Sequence, residues 1–337
     1  MTVYAGLDVS KDETAICIRD ESGHILWEGK AASNGDALWT ALAPYAGSLG
    51  RVVLETGMLA GLLHHALSER DLPVVCVDAR RAWAVLRQMP NKTDTNDAAM
   101  LAELARSGFY RQVHVKGEDA QAMRTLLRAR DLLVRQRIDT DNAIRSALLA
   151  RGVPLPPEFR RWIDRVKAAV MADPLLQRAM TPLIELRTAI AASLAKLDRE
   201  LRHETKAHPV CRRLMTIPGV GPITSYAYVA TIEKPERFAS SASVGAYAGL
   251  TPRRHQSGQM DYTGRISKLG DPLLRTLLFE AASSLITRRY GGMPGLKRWA
   301  LKLKAKVGHK KATVALARKL AVVMHRMWID GTEYRPA

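Results

Sequence analysis

The sequence predicts an α/β domain joined to a mainly helical remainder, an α/β plus α fold. Three observations predict it. Short runs rich in Val and Ile alternate with helical stretches up to about residue 110. Beyond about Glu118 the strand pattern stops, and leucines recur by threes and fours. The charge balance also changes sign. Residues 1–110 carry a net −4, residues 111–205 a net +6 and residues 206–337 a net +16, within a chain of 337 residues and net +18. That length accommodates two or three cores. The divisions suggest an acidic α/β domain over 1–110, a helical, coiled-coil region over 111–205 and a basic C-terminal domain over 206–337.

Val3–Asp8, Thr14–Arg19 and Ile25–Gly29 read as three strands, with a polar turn at Asp20–Gly23. A helix follows from about Asp36 to Tyr45. Val52–Glu55 is a short apolar strand, Leu59–Glu69 a helix and Pro73–Val77 another strand. A helix is expected from about Ala82. Pro90-Asn91 breaks it, and a new helix starts near Thr93 or Asp94 and runs to Ser107. The order βββαβαβα, a meander followed by alternating units, is the ribonuclease H-like pattern, in which the first and fourth strands lie side by side.

Four carboxylates stand where apolar strands end or a helix begins: Asp8, Glu55, Asp94 and Asp97. A lone charge at a strand end costs several kcal/mol in desolvation unless it is paired. Several acids together repel and raise one another's pKa. A divalent cation resolves both problems, and hard oxygen donors suit Mg2+, with Mn2+ able to substitute. Asp8 and Glu55 are expected to face each other across neighbouring strands. Asp94 and Asp97, three apart, share a helix face. The four form a candidate catalytic and metal-binding set for phosphoryl transfer.

Leu126, Leu127, Leu133, Val134, Ile138, Ile144 and Leu148 recur at helical spacing. A proline-rich break over Gly152–Pro157 follows. A second long helix carries Leu183, Leu186, Ile190, Leu194, Leu197 and Leu201, a heptad-like seam. That seam closes either as an intramolecular helical hairpin or as an intermolecular coiled coil. In the last third, Ile217-Pro218-Gly219-Val220-Gly221-Pro222 precedes the apolar stretch Ile223–Ile232. This reads as a helix-hairpin-helix element, in which Gly219 and Gly221 would let backbone N–H groups approach a phosphate. A plain turn between packed helices is the simpler reading. Leu250–Gly258 reads as a basic, polar loop between apolar helices, and Lys297–Lys311 is strongly cationic. The basic C-terminal third has the footprint of a nucleic-acid-binding domain, with Arg253, Arg254, Arg265, Lys268, Lys310 and Lys311 as candidate contacts.

Cys17, Cys76 and Cys211 are far apart and odd in number, which argues against a zinc site or a disulfide framework. No signal sequence and no apolar run of membrane-spanning length stands out. The expectation is a cytoplasmic, nucleoid-associated protein with no membrane partner.

The segments GLDVSK, LETG, NKTDTNDA, IPGVG and LTPRRHQSG, in this order along essentially the whole chain, carry a family resemblance. The sequence resembles the transposases of the insertion-sequence one-ten family, relatives of the pilin-gene invertase. The resemblance implies a RuvC-like domain with a DEDD acid set, here Asp8, Glu55, Asp94 and Asp97, and a C-terminal transposase domain with an essential serine. In the Gln256-Ser257-Gly258 context that serine is Ser257, although Ser240, Ser241, Ser243 and Ser267 are nearby in the sequence. It further implies a serine recombinase acting on donor and target DNA. It implies guidance by a structured bridge RNA and assembly as a homodimer or tetramer, with acids and serine supplied by different protomers. The chemistry is consistent: a serine hydroxyl needs activation, a metal polarises the scissile phosphate, and Arg253, Arg254 and Arg265 are placed to stabilise its charge.

Three other readings compete. A RuvC-like Holliday-junction endonuclease needs the acids but uses water in place of Ser257. An actin-like sugar kinase shares a Gly-x-Asp strand end but needs a second phosphate loop that has no convincing equivalent here. A non-catalytic nucleic-acid-binding protein would not need an intact acid set.

Overall fold

The computed structural model describes residues 1–80, 82, 91, 93–153, 162–171, 173–288 and 295–335. The helix expected from Ala82 to Pro90, Lys92 of the acid motif and the prolines at 154, 156 and 157 lie wholly or largely outside these residues. The chain forms two compact units, Met1–Gly117 and Glu118–Ala337.

The first unit is built on a five-stranded sheet of β1 (Val3–Val9), β2 (Glu13–Asp20), β3 (Ile25–Ala32), β4 (Leu49–Glu55) and β5 (Val74–Val77) in the order β3-β2-β1-β4-β5. The first three strands form the expected antiparallel meander. β4 then lies parallel to β1, and β5 parallel to β4. Side chains alternate between the two faces of the sheet. On one face Val3, Ala5, Leu7, Ile16, Ile18, Val52, Leu54 and Cys76 form a core with α1 (Gly35–Leu42) and α2 (Ala60–Ser68). On the other, Ala15, Cys17, Val53 and Val77 pack on α3 (Asp94–Ser107).

Local signals set these boundaries. Asn34 caps α1 by accepting from the Ala37 N–H at 2.9 Å, and Thr93 caps α3 by accepting from Asn96 N–H at 3.2 Å. Gly108, left-handed at φ 68°, ends α3.

The second unit is helical apart from one β-hairpin. A long antiparallel pair, α4 (Glu118–Ala150) and α6 (Pro174–Ala207), is bridged by α5 (Trp162–Met171). Then come α7 (Pro209–Leu214), α8 (Pro222–Ile232) and α9 (Ser241–Tyr247). The hairpin β6 (Pro252–Ser257) and β7 (Met260–Ile266) follows, and α10 (Pro272–Thr287), α11 (Gly295–Val307) and α12 (His309–Asp330) complete the unit. Helix α8 is buried over Thr224–Ile232, as an apolar-all-round helix must be. Its polar atoms are answered: the Tyr228 hydroxyl donates to Ala321 O at 2.7 Å, and Tyr226 donates to Glu204 Oε2 at 2.6 Å.

The heptad-like seam closes within the chain. Arg130 pairs with Asp198 at 2.6 Å and Asp141 with Arg187 at 3.1 Å. The two layers are eleven residues apart on both helices, so one antiparallel register serves the whole pair. That register sets Leu127 opposite Leu201, Ile144 opposite Ile184 and Leu148 opposite Met180, all buried. Leu127 and Leu201 share a core with the C-terminal helices, whereas Ile144, Leu148, Met180 and Ile184 form a separate core with Val166 and Val170 of α5.

Candidate active site and nucleic-acid interface

The β1–β4 pairing places Leu7 beside Leu54. Asp8 and Glu55 are the next residues, at the carboxyl ends of adjacent parallel strands. Alternation puts Asp8 on the face of Gly6, and Glu55 on the face of Val53. Both faces are the one covered by α3. A Cβ built on Gly6 would fall 2.2 Å from Ala98 O and 2.2 Å from Ala102 N, so the helix backbone lies directly on this strand. At the other end of α3 the Arg51 guanidinium, from the start of β4, donates to Ala105 O at 2.6 Å. The helix therefore runs opposite to β1 and β4, and its first turn, with Asp94 and Asp97, points toward the strand ends that carry Asp8 and Glu55. Asp97 is 9% exposed, Asp94 is exposed, and Glu55 Oε1 is buried.

The topology thus brings the four acids to one end and one face of the sheet. Among the described residues, no three His, Cys, Asp or Glu side chains stand close enough to hold one metal ion by themselves. The donor chemistry nevertheless fits a hard divalent cation. Magnesium typically takes one or two protein carboxylates and completes its shell with water and substrate phosphate. Asp94 and Asp97 also have a structural reason to be there, since acids in a first helical turn are stabilised by the helix dipole.

Ser257 is the last residue of β6, exposed and paired with Met260 across a two-residue turn. Gly258 takes φ 55° at the first turn position, which glycine adopts without strain in a type II′ hairpin. The segment expected as a loop is therefore the first strand of a β-ribbon. No apolar alternation marks this strand in the sequence, because β6 is exposed at every position and apart from Pro252 carries only polar residues.

Cross-strand partners share a face, so the pairs Ser257–Met260 and His255–Tyr262 lie together. The His255 and Tyr262 rings stack at 4.9 Å, tilted by 19°. Arg254 lies on the opposite face, where its Nε donates to Asp261 Oδ1 at 2.8 Å. This hydrogen bond holds the Asp261 carboxyl below the usual carboxylate range. Arg253 donates to Ser267 O at 3.2 Å. Arg265 and Lys268 are exposed, and Lys268 has a left-handed backbone at φ 56°. Exposed Lys310 and Lys311 stand in the first turn of α12, which has no acidic residue.

The glycines of the expected helix-hairpin-helix differ from each other. Gly219 is left-handed at φ 88°, and a Cβ there would meet Ala281 O at 2.7 Å, so it is required for packing against α10. Gly221 caps α8 and faces open space.

One arrangement was not legible in the sequence. The Ser241 hydroxyl lies 2.9 Å from His325 Nδ1, and His325 Nε2 lies 2.9 Å from Pro235 O. The carbonyl can only accept, so Nε2 donates to it, and in the neutral ring Nδ1 then accepts from Ser241. Eighty-four residues separate Ser241 from its histidine, and no local spacing announces such a pair.

Residues 5–151 match the DEDD transposase family of IS110 type, and residues 211–294 match the family described as "Transposase IS116/IS110/IS902 family". The chain is 28% identical to the transposase for insertion sequence element IS1111A of Coxiella burnetii, over 98% of this chain and 90% of that protein. It is 31% identical to a probable family 20 transposase of Pseudomonas aeruginosa, over 73% of this chain and 75% of that one. The chain belongs to the IS110 family of transposases. The transposase is also 24% identical to the pilin gene-inverting protein of Moraxella bovis, over 96% of this chain and 94% of that one. Family membership makes it a DNA-cleaving and rejoining enzyme of an insertion sequence, with DNA as its partner. A DEDD domain implies use of a divalent metal in general. No helix among the described residues is long and apolar enough to cross a membrane.

Proposed function

We propose that this transposase cuts and rejoins DNA through a phosphoserine intermediate on Ser257, with Asp8, Glu55, Asp94 and Asp97 holding Mg2+ in a ribonuclease H-like unit. The observation that carries the reading is the placement of Asp8 and Glu55 at adjacent parallel strand ends, facing the helix that begins with Asp94 and Asp97. The chemistry supplied at such a set is Lewis-acid polarisation of the scissile phosphate. Ser257 Oγ attacks phosphorus, the Oγ–P bond forms and the bond to the deoxyribose oxygen breaks. The serine proton leaves to that oxygen or to solvent. Bond energy is retained in the ester, so a second strand end can reverse the step and rejoin. Exposure at the tip of a ribbon suits a nucleophile that must reach a phosphate on a large substrate.

Binding follows from charge. Arg253, Arg265, Lys268, Lys310 and Lys311, with Arg254 on the far ribbon face and Gly221 at the open α8 terminus, are the proposed phosphate contacts. Gly219 serves the fold of that terminus. A structured bridge RNA is the proposed guide, read by base pairing while the protein grips backbone and shape, and the active assembly is a homodimer or tetramer. Binding should fall steeply with salt as phosphates release counterions.

The test is recombination of a plasmid carrying both element ends, with and without the RNA encoded beside the gene. Dependence on the RNA's pairing loops supports guidance, and RNA-independent exchange overturns it. A RuvC-like endonuclease using water is the second reading, favoured if cleavage proceeds with no protein–DNA adduct.

A further inference from the structure

We infer that the Ser257 face of the β6–β7 ribbon is a stacking platform for an unpaired nucleobase beside the scissile phosphate. This rests on the proposed role of Ser257. Apolar side chains grouped on one exposed face, rather than scattered singly, form a surface that a partner can cover. Here Met260 is 66% exposed and Tyr262 is 56% exposed, both on the face that carries Ser257. Of the two strands only Ile266 packs against the core, and every other residue is exposed, so Met260 and Tyr262 do not serve the core.

The aromatic pair is already organised. His255 stacks on Tyr262 at 4.9 Å with the two rings 19° from parallel. Across the turn side, Ser257 is the diagonal neighbour of Tyr262, about 7 Å away between Cβ atoms. A base belonging to the reacting nucleotide, or to its neighbour, can therefore reach the ring while its phosphate sits at the hydroxyl.

The charges around the platform suit a nucleic-acid strand. Arg253, Arg254 and Arg265 are exposed on the ribbon and Lys268 is exposed two residues beyond it, within a C-terminal third of net +16. Stacking is tolerant of base identity because every base presents a π face. Strand exchange supplies the occupant, since a strand that moves from one duplex to another passes through an unpaired state at the cut.

The test uses the full-length protein and an oligothymidine of about 20 nucleotides, longer than common single-strand site sizes. One position carries 5-iododeoxyuridine. Irradiation should attach it to Tyr262 or His255, found by mass spectrometry in the tryptic peptide His255–Arg265. Tyr262→Ala should weaken binding to the oligothymidine about tenfold and leave binding to a duplex of equal length within twofold, whereas Tyr262→Phe should retain the wild-type affinity. Cross-linking confined to other peptides, or unchanged single-strand affinity in Tyr262→Ala, overturns the platform. Equal loss on duplex and single strand also overturns it in favour of groove insertion. Ser257→Ala should bind and cross-link as wild type, so loss of its covalent chemistry is read separately from the platform.

Discussion

Gly6 on β1 lies against the carbonyl oxygen of Ala98 on α3, so close that a Cβ at Gly6 would stand 2.2 Å from it. The neighbouring atom is helix backbone, which cannot rotate aside. Gly6→Val should destabilise the first unit by about 3 kcal/mol, at the upper end of overpacking costs, and displace α3 from the sheet. Denaturant unfolding measures the first effect. An unchanged midpoint would mean that the helix does not sit on this strand.

The acid set predicts a separation of binding from chemistry. Asp8→Asn removes a charge but little volume, so it should abolish strand transfer while leaving affinity for DNA or RNA within about threefold. EDTA should do the same to the wild type, with recovery on adding Mg2+ or Mn2+. Strand transfer by Asp8→Asn at the wild-type rate would remove Asp8 from the metal site.

Two serines compete for the covalent role. Ser241 has a histidine partner, but it sits at the start of α9 against the buried His325. Ser257 is exposed at a ribbon tip. Ser257→Ala should lose the denaturation-resistant protein–DNA adduct, and Ser241→Ala should keep it. The opposite pattern on a denaturing gel would transfer the nucleophile to Ser241.

The charged layer in the long hairpin is another point of vulnerability. Asp141 and Arg187 are largely removed from solvent, with side chains 7% and 19% exposed. Asp141 accepts from Arg187 Nε at 3.1 Å, so its removal takes a charge partner out of the largely buried layer. Asp141→Ala should therefore cost about 3 kcal/mol, while the double change Asp141→Leu with Arg187→Met should be near neutral. A thermal melt of both variants tests this. A small loss in Asp141→Ala would show that water reaches the layer.

Burial pushes the Cys17 and Cys76 thiols up to about 11 and the Cys211 thiol up to about 12. In the unfolded chain these thiols ionise near their ordinary value of about 8.5. The folded state then holds more protons than the unfolded one, so stability should decline as pH rises from about 9 toward 11. At pH 8 the native thiols should resist iodoacetamide and react only after denaturant is added. Rapid alkylation of native protein would contradict their burial.

Much of the first unit was legible because its signals are local. Val3–Asp8, Thr14–Arg19, Val52–Glu55 and Pro73–Val77 were all marked by apolar runs, and Thr93 and Gly108 bracket α3 with ordinary caps. The expected adjacency of the first and fourth strands is met by the Leu7–Leu54 register. The second unit was less legible where structure depends on distant partners. The leucine seam did not say whether its partner was the same chain, although Arg130, Asp141, Arg187 and Asp198 carried the register. The ribbon hid because it has no buried face. The Ser241–His325 contact hid because its halves are far apart in sequence.

That ribbon has an evolutionary consequence. An element exposed at every residue but Ile266 can change most of its letters without threatening the fold that holds it. Selection can therefore retune what its tip prefers, one exposed side chain at a time, while the helices beneath pass unaltered between copies of a mobile element. Gly258, whose backbone turns the hairpin, the serine beside it, the His255–Tyr262 stack and Ile266 against the core would resist that drift.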